Sequence, residues 1–452
     1  MSLVYPEKLL IFVHKMSVLS NTISSHYNLG KILGKPETII VLIVMCGFML
    51  NVQQGYNTNS VLRNDPLVFK GIRILTILAA QAFALWIIMK KRIPQTLCLT
   101  GSMLPFVLYI CACLLSVPFS PYPMMSLFKV SEIFLVVMLC LIALDSTVSR
   151  PTDLFLLNIK IVFLYNIVIW IESFLFPGLA WVKINGDTPF FSHALSGVFP
   201  VINGNMVGLF GAVLFMAYLP RIWESGRIRL LMTFPVIIGL ASTIFSYSRS
   251  SLLGLFAAAL FSLFLLRKYF ILLAMILCII ILGMNSQVRM LAMDHLARGK
   301  EDRSLDTLTS NRLEMWDYVL EHYHSSIFGR GYAAGFRYDD TLTDGHAHNS
   351  LVELYFDVGI LGVFAWLMLI GTVCYHLYYL MRLQTGIDYQ FISILGVMFF
   401  LLMKAFASTV FVNLDQSMFI LAAIITYSMK QIWSVQYAQM QVEKNYTFSL
   451  SN

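Results

Sequence analysis

Two histidines are the residues of this sequence whose type and spacing best suit acid–base chemistry. His346 and His348 stand in the stretch His-Ala-His-Asn-Ser at 346–350, which closes the one long polar segment of an otherwise apolar chain. An imidazole titrates near neutral pH, so a histidine such as His348 can take the proton of a hydroxyl group as a general base.

The same stretch has two other interpretations, and the sequence leaves both open. Two histidines with Asp344 nearby could hold a metal ion, although a His-x-His pair is a weak signal and no third ligand stands at a clear spacing. Alternatively, Asn349 or Ser350 could cap the start of a helix with Glu353 in its first turn. The capping role would leave the histidines without an explanation.

Arg249 is the residue best suited to bind an anion. It lies in the stretch Ser-Tyr-Ser-Arg-Ser at 246–250, a polar break between two apolar runs that is too short for an ordinary loop. A guanidinium group offers a planar fork of donors that fits phosphate oxygens. Contact with lipid headgroups is the simpler alternative, but Ser248 and Ser250 can donate to the same anion and favour a binding site.

Five further ionisable residues fall inside apolar runs: Lys129, Glu132, Lys160, Glu172 and Lys404. Lys160 lies near the inner end of its run, where a long side chain can reach the membrane surface. Charges at such positions are costly and usually functional. Lys129 and Glu132 are three residues apart, so they share a helix face and could simply pair with each other. No carboxylate stands within four residues of Lys404, which makes Lys404 the stronger candidate for a substrate contact.

The composition places these residues in a membrane protein. Of the 452 residues, 58% are hydrophobic and 12% are charged, and runs long enough to cross about 30 Å of hydrocarbon recur along the chain. We predict an all-α polytopic membrane protein with about twelve transmembrane helices. The predicted spans are 38–54, 69–89, 97–117, 124–144, 153–176, 204–219, 229–245, 250–266, 269–284, 358–380, 389–411 and 416–431.

Charge and cysteine usage exclude other classes. The net charge of +7 needs no nucleic-acid partner, because the excess lies in short loops such as 90–92 and 221–229, where the positive-inside rule expects it. All seven cysteines fall in apolar spans, which argues against a disulfide-stapled outer domain and a cysteine-based zinc site.

Placing the basic loop at 90–92 inside defines the topology of the whole chain. Both termini then lie in the cytoplasm, and residues 285–349 lie outside as one long loop.

The chain divides into three predicted parts: a cytoplasmic N-terminal segment at 1–36, a transmembrane domain at 37–431 and a cytoplasmic tail at 432–452. Within the long loop, Asn311 and Glu314 form a helix-start pattern, and Trp316 and Leu320 follow at helical spacing. The loop is therefore expected to be partly helical.

Three local patterns resemble the O-antigen ligases and the related O-antigen and exopolysaccharide polymerases. The resemblance covers about residues 200–370. The patterns are Ser248-Arg249-Ser250 before Gly254; Arg312 with Trp316, Gly329, Gly331 and Gly335; and His348-Asn349 with Glu353, Gly359 and Gly362. Each pattern alone is weak, whereas their order and spacing together are fairly specific.

The resemblance implies transfer of a glycan from undecaprenyl diphosphate at the outer face of the bacterial inner membrane, with the loop 285–349 in the periplasm. It implies that Arg249 holds the diphosphate, that Arg312 also faces the donor, and that His348 is the base. The reaction would invert the anomeric centre and need no metal or cofactor. We predict His348 and Arg249 as catalytic residues and seven substrate-binding residues: Arg312, Lys404, Lys129, Ser248, Ser250, His346 and Asn349.

The sequence leaves the acceptor open. A ligase would use lipid A–core, and a polymerase would use a second lipid-linked glycan; the dominance of one Arg–His pair and the modest loop favour the ligase. A transporter or flippase of lipid-linked sugars is the alternative from another class. It would predict repeats and broken spans near the midplane, which the sequence does not show.

Overall fold

The computed structural model describes residues 35–49, 66–146, 150–183, 193–224, 230–290, 312–322, 327–336, 347–384 and 386–451. Asn311, Asp344 and His346, which the sequence singles out, lie outside these residues. The described helices are α1 (Pro36–Met49), α2 (Pro66–Lys91), α3 (Met103–Ser116), α4 (Pro123–Asp145), α5 (Asp153–Leu175), α6 (Gly204–Tyr218), α7 (Leu230–Phe245), α8 (Arg249–Leu265), α9 (Tyr269–Met284), α10 (Arg312–His322), α11 (Ser350–Leu383), α12 (Tyr389–Ala405) and α13 (Gln416–Ser451). Between α5 and α6, the short strands β1 (Trp181–Lys183) and β2 (His193–Leu195) pair antiparallel.

Each of the twelve predicted spans overlaps one of these helices, although several helix ends differ from the predicted bounds, and α10 is an additional helix in the long loop. Six helical stretches of the described chain are long and apolar enough to cross a membrane: Gly71–Lys91, Pro123–Asp145, Asp153–Leu175, Gly204–Trp223, Ser350–Leu383 and Gln416–Gln441. The protein is therefore a helical, multi-pass membrane protein. The remaining apolar helices are shorter, so the number of twelve spans stays a prediction.

The helix pair α6 and α7 packs closely because small residues face each other. A Cβ added to Gly239 would lie 2.6 Å from the carbonyl oxygen of Gly211, and one added to Gly208 would lie 2.6 Å from Ser246 Oγ and 2.8 Å from Ser248 Cβ. Such close approach between membrane helices requires small residues at the contact. The glycines of α6 thus hold the polar break at 246–250 against the bundle.

Helix α12 packs on both α6 and α8, which brings its C-terminal end to the start of α8. Phe261 and Phe399 stack with ring centroids 4.6 Å apart, and Gly254 lies against the ring of Phe400. Aromatic packing at these distances fixes the two helices along their length.

The chain leaves helical geometry after Ala405, whereas the predicted span runs to 411. Residues 406–415, here called the 406–415 segment, are non-helical, and Val410, Phe411 and Val412 are buried. Buried backbone inside a membrane protein must find hydrogen bonds within the protein. Accordingly, Trp366 Nε1 donates to the carbonyl oxygen of Phe411 at 3.1 Å, and Tyr109 donates to that of Val412 at 3.2 Å.

Helix α11 begins at Ser350, earlier than the predicted 358, and contains a kink at Gly359 with φ 78° and ψ −169°. A Cβ at Gly359 would lie 2.4 Å from the carbonyl oxygen of Ile327, and one at Gly329 would lie 2.4 Å from the backbone of Asp357. Two backbone segments therefore touch directly at this kink, and only glycine leaves room for the contact.

Asp357 anchors the glycine-rich turn at 327–336. Its carboxylate accepts the backbone N–H groups of Ala333 at 3.0 Å and Phe336 at 2.7 Å. On the other side, a Cβ at Gly331 would lie 2.2 Å from Ser120 Cβ. The turn is thus wedged between the kink of α11 and the chain before α4, which fixes the end of the long loop on the bundle.

Candidate active site

The polar break before α8 is a tight turn that presents Arg249 at a helix start. Tyr247 has φ 56°, the N–H of Ser248 donates to Ser246 Oγ at 3.2 Å, and the Oγ atoms of Ser248 and Ser251 lie 2.8 Å apart. Arg249 is half-buried and is the first residue of α8. A helix N-terminus with free N–H groups attracts anions, and an arginine at this point adds a full charge.

Lys404 reaches the same turn from α12. Its side chain is almost fully buried, at 1% exposure, and its Nζ donates to Ser251 Oγ at 2.6 Å, Ser250 Oγ at 3.2 Å and Ser248 Oγ at 3.5 Å. An ammonium group has three N–H donors, and three serine hydroxyls surround it. The charge of Lys404 is therefore fixed against the turn that carries Arg249.

Arg312 joins the same region from the long loop. It is the first residue of α10, and its Nη1 donates to the carbonyl oxygen of Ala407 at 2.7 Å. Ala407 lies three residues after Lys404, so Arg312 and Lys404 meet the same short stretch of chain. Two like charges held in proximity by separate helices create a local potential that favours a bound anion.

His348 lies just before α11 in a constrained backbone position. It is half-buried and has φ 52°, in the left-handed region that costs a non-glycine residue on the order of 1–2 kcal/mol. Asn349 caps α11, because its Oδ1 accepts the N–H groups of Leu351 at 2.9 Å and Val352 at 3.2 Å. The prediction that Asn349 or Ser350 starts this helix is therefore confirmed.

The end of α12 brings the three sequence patterns together. Lys404 contacts the serines around Arg249, the carbonyl oxygen of Phe406 accepts from Asn349 Nδ2 at 3.1 Å, and that of Ala407 accepts from Arg312. Residues 404–407 thus touch all three patterns, which lie far apart in the sequence.

Ser350 and Glu353 fasten the 406–415 segment, the first part of which falls inside the predicted span 389–411. Ser350 Oγ accepts the N–H of Val410 at 2.9 Å, while Thr409 Oγ1 and Asn413 Nδ2 donate to the Glu353 carboxylate. The run of polar residues at 408, 409, 413 and 415 within an apolar stretch was the signal that could have revealed this segment. Its hydrogen-bond partners were not visible in the sequence.

Lys129 is placed in an ion cluster between α2 and α4. Its Nζ lies 2.9 Å from Glu132 Oε2, and Arg73 Nη2 lies 3.3 Å from Glu132 Oε1. The three-residue spacing had left open whether Lys129 pairs with Glu132 or contacts substrate, and the structure shows that the pair forms. The predicted contact between Lys129 and substrate stays a prediction.

Glu172, the other carboxylate noted at membrane depth, has a structural role. It accepts the N–H groups of Val198 at 2.8 Å and Phe199 at 2.7 Å, and so holds the chain that follows β2. A buried carboxylate is stabilised by such backbone donors.

Of the three residues of the possible metal site, His348 is among the described residues, and His346 and Asp344 are not. Among the described residues, no three His, Cys, Asp or Glu side chains are grouped so that they could hold a metal ion. Since His346 and Asp344 lie outside these residues, the contribution of His346 to either a metal or a substrate site stays a prediction.

Comparison with known protein families supports the resemblance over part of the chain. No curated protein matches the chain, but residues 234–367 match the family model described as O-antigen ligase. The matched range contains Arg249, Arg312 and His348, and lies inside the range of about 200–370 predicted from the three patterns. The resemblance is therefore confirmed over residues 234–367, which are similar to the O-antigen ligase family and lie within a multi-pass membrane protein.

Proposed function

We propose that the protein is a glycosyltransferase that moves a polysaccharide or oligosaccharide from undecaprenyl diphosphate to an acceptor hydroxyl. The observation that carries the proposal is the meeting of the three family patterns at residues 404–407. This arrangement brings a cluster of cations and a half-buried histidine to one end of the helix bundle. A diphosphate donor and a hydroxyl acceptor need those two kinds of group.

In the proposed step, the acceptor oxygen attacks the anomeric carbon of the donor while the bond from that carbon to the diphosphate oxygen breaks. His348 takes the proton of the acceptor hydroxyl, which makes the oxygen a better nucleophile. The diphosphate leaves with the bonding electron pair. Because this is a single displacement, the anomeric configuration is inverted.

The leaving diphosphate gathers negative charge, and fixed cations near it lower the barrier. Arg249 offers its donor fork to the phosphate oxygens, and Lys404 and Arg312 add two further charges. Ser250 accepts a hydrogen bond from Lys404, and its hydroxyl hydrogen can be donated onward to the diphosphate. Ser248 accepts from Lys404 as well and also shares a hydrogen bond with Ser251, so it helps to hold the ammonium group at the site. With three cations on the leaving group, the proposed reaction uses no metal ion or cofactor.

The other predicted substrate-binding residues have smaller parts. The Asn349 side chain accepts a hydrogen bond from the N–H of Leu351 and donates one to the carbonyl oxygen of Phe406. Its proposed part is therefore to fix the backbone next to His348. His346 is proposed as an auxiliary substrate contact. Lys129 is given no part in the transfer step, because its ammonium group already pairs with Glu132.

The proposed setting is the bacterial inner membrane, with the site facing the periplasm, where lipid-linked glycans await transfer. The proposed acceptor is lipid A–core, which would make the protein a ligase. A polymerase, with a second lipid-linked glycan as acceptor, would use the same cations and the same base.

The deciding experiment uses purified protein and an undecaprenyl-diphosphate-linked glycan in two reactions, one with lipid A–core and one without it. Product that depends on lipid A–core would support the ligase. A ladder of longer glycans from the donor alone would replace the ligase with the polymerase. Binding of the donor without transfer in either reaction would overturn the transferase and favour a transporter.

A further inference from the structure

Both backbone groups of Ala347, the residue before His348, are held by side chains from different helices. Trp316 Nε1 on α10 donates to the carbonyl oxygen of Ala347 at 2.8 Å. The N–H of Ala347 donates to Glu353 Oε2 on α11 at 3.2 Å. Ala347 itself is fully buried, so water cannot replace either partner.

This double contact matters because His348 occupies the left-handed region of backbone space. Such a conformation persists in a non-glycine residue only when the surroundings fix it. On the C-terminal side, the cap formed by Asn349 supplies that constraint. On the N-terminal side, the contacts of Trp316 and Glu353 supply it.

Glu353 is itself held in place by the 406–415 segment. Its side chain is 2% exposed and accepts hydrogen bonds from Thr409 Oγ1 and Asn413 Nδ2 in addition to the N–H of Ala347. Hydrogen bonds to a buried carboxylate are stronger than those between neutral groups. The Glu353 carboxylate is therefore held in one position, and its hydrogen bond to Ala347 fixes the backbone before His348.

Trp316 brings the long loop into the same arrangement. Helix α10 begins at Arg312, which is tied to Ala407, and one turn later it presents Trp316 to Ala347. The position of α10 on the bundle therefore determines both where the Arg312 cation lies and how the backbone before His348 is held.

We infer that Trp316 and Glu353 are positioning residues that orient the His348 imidazole through the two backbone groups of Ala347, without touching the substrate. This inference rests on the proposed function, in which His348 is the base. A base must lie within hydrogen-bond reach of the proton that it removes. A shift of about 1 Å at such a group can lower the rate on the order of 100-fold.

The test uses Trp316→Phe, which keeps an aromatic ring and removes the donor, and Glu353→Gln, which keeps the shape and removes the charge. Trp170→Phe is the matched control, because it removes an indole hydrogen bond of 2.9 Å to Ser242 Oγ from a residue with no contact to Ala347. Each purified protein is assayed for kcat, for KM and binding of the undecaprenyl-diphosphate-linked glycan, and for melting temperature. Each of the two substitutions is also made in a His348→Ala background.

The expected result is a kcat lower by on the order of 10- to 100-fold for Trp316→Phe and Glu353→Gln. Donor KM and binding should stay near those of the parent protein, as should all properties of the Trp170→Phe control. In the His348→Ala background, neither substitution should lower the residual rate further, since both act through the same imidazole.

Parent-like kcat in both variants, or a further loss on top of His348→Ala, would overturn the inference while leaving the proposed function intact. A loss of donor binding that accompanies the fall in kcat would also overturn it, because it would show a general disturbance of the site. Parent-like turnover by His348→Ala alone would remove the base from the proposed function, and the positioning role with it.

Discussion

Arg312 donates from Nη1 to the carbonyl oxygen of Ala407 at 2.7 Å. Ala407 follows the buried residue Lys404 by three positions in the chain. The loop helix α10 is therefore attached directly to the end of the membrane helix that carries the buried lysine. Any movement of α10 away from the bundle would separate Arg312 from Lys404 and weaken the positive electrostatic potential at the site.

Lys404→Met should abolish most glycan transfer. The substitution keeps a long side chain but removes the charge, and it leaves the hydroxyls of Ser248, Ser250 and Ser251 without their shared donor. We expect kcat/KM for the lipid-linked donor to fall on the order of 100-fold, measured with purified protein. Lys91→Met, at an exposed lysine in the last turn of α2, is the control; equal activity in the two variants would refute the role of Lys404.

Arg249→Lys should fail nearly as completely as Arg249→Ala. Both variants should be found in the membrane at parent-like amounts, because Arg249 is half-buried at a helix start. Lysine keeps the charge but not the planar fork that holds two phosphate oxygens together. Donor binding and transfer are the measurements, and parent-like transfer by Arg249→Lys would show that charge alone suffices.

His348→Ala should abolish nearly all transfer and leave only a small residual rate, and His346→Ala should have a milder effect. The reason is that only His348 is expected to take the acceptor proton. Transfer by the parent protein should also persist after treatment with EDTA. Equal losses in the two histidine variants, together with inhibition by EDTA that added divalent metal reverses, would instead establish the metal site.

Gly359→Ala should destabilise the protein. The residue has φ 78°, and an added Cβ would lie 2.4 Å from the carbonyl oxygen of Ile327, so the kink of α11 and the glycine-rich turn must separate. We expect a loss on the order of 1–3 kcal/mol, seen as a lower melting temperature in detergent. Gly371→Ala is the control on the same helix, because nothing lies within 4 Å of its added Cβ; a similar fall in both would argue against the specific contact.

The sequence alone was sufficient for features that depend on neighbouring residues. The apolar runs predicted the positions of the helices, because a membrane segment must bury its own backbone groups in helical hydrogen bonds. The cap at Asn349 followed from a side chain that bonds N–H groups two and three residues ahead. The pairing of Lys129 with Glu132 was among the predicted possibilities for the same local reason.

The tertiary structure alone decided the contacts between distant segments. Lys404 and Ser251 lie on different helices, and their contact depends on how α12 packs against α6 and α8. That packing is set by glycines and stacked rings whose partners the sequence does not specify. The 406–415 segment was missed for the same reason: an apolar run favours a helix locally, whereas Ser350, Glu353 and Trp366 stabilise its non-helical path from elsewhere in the fold.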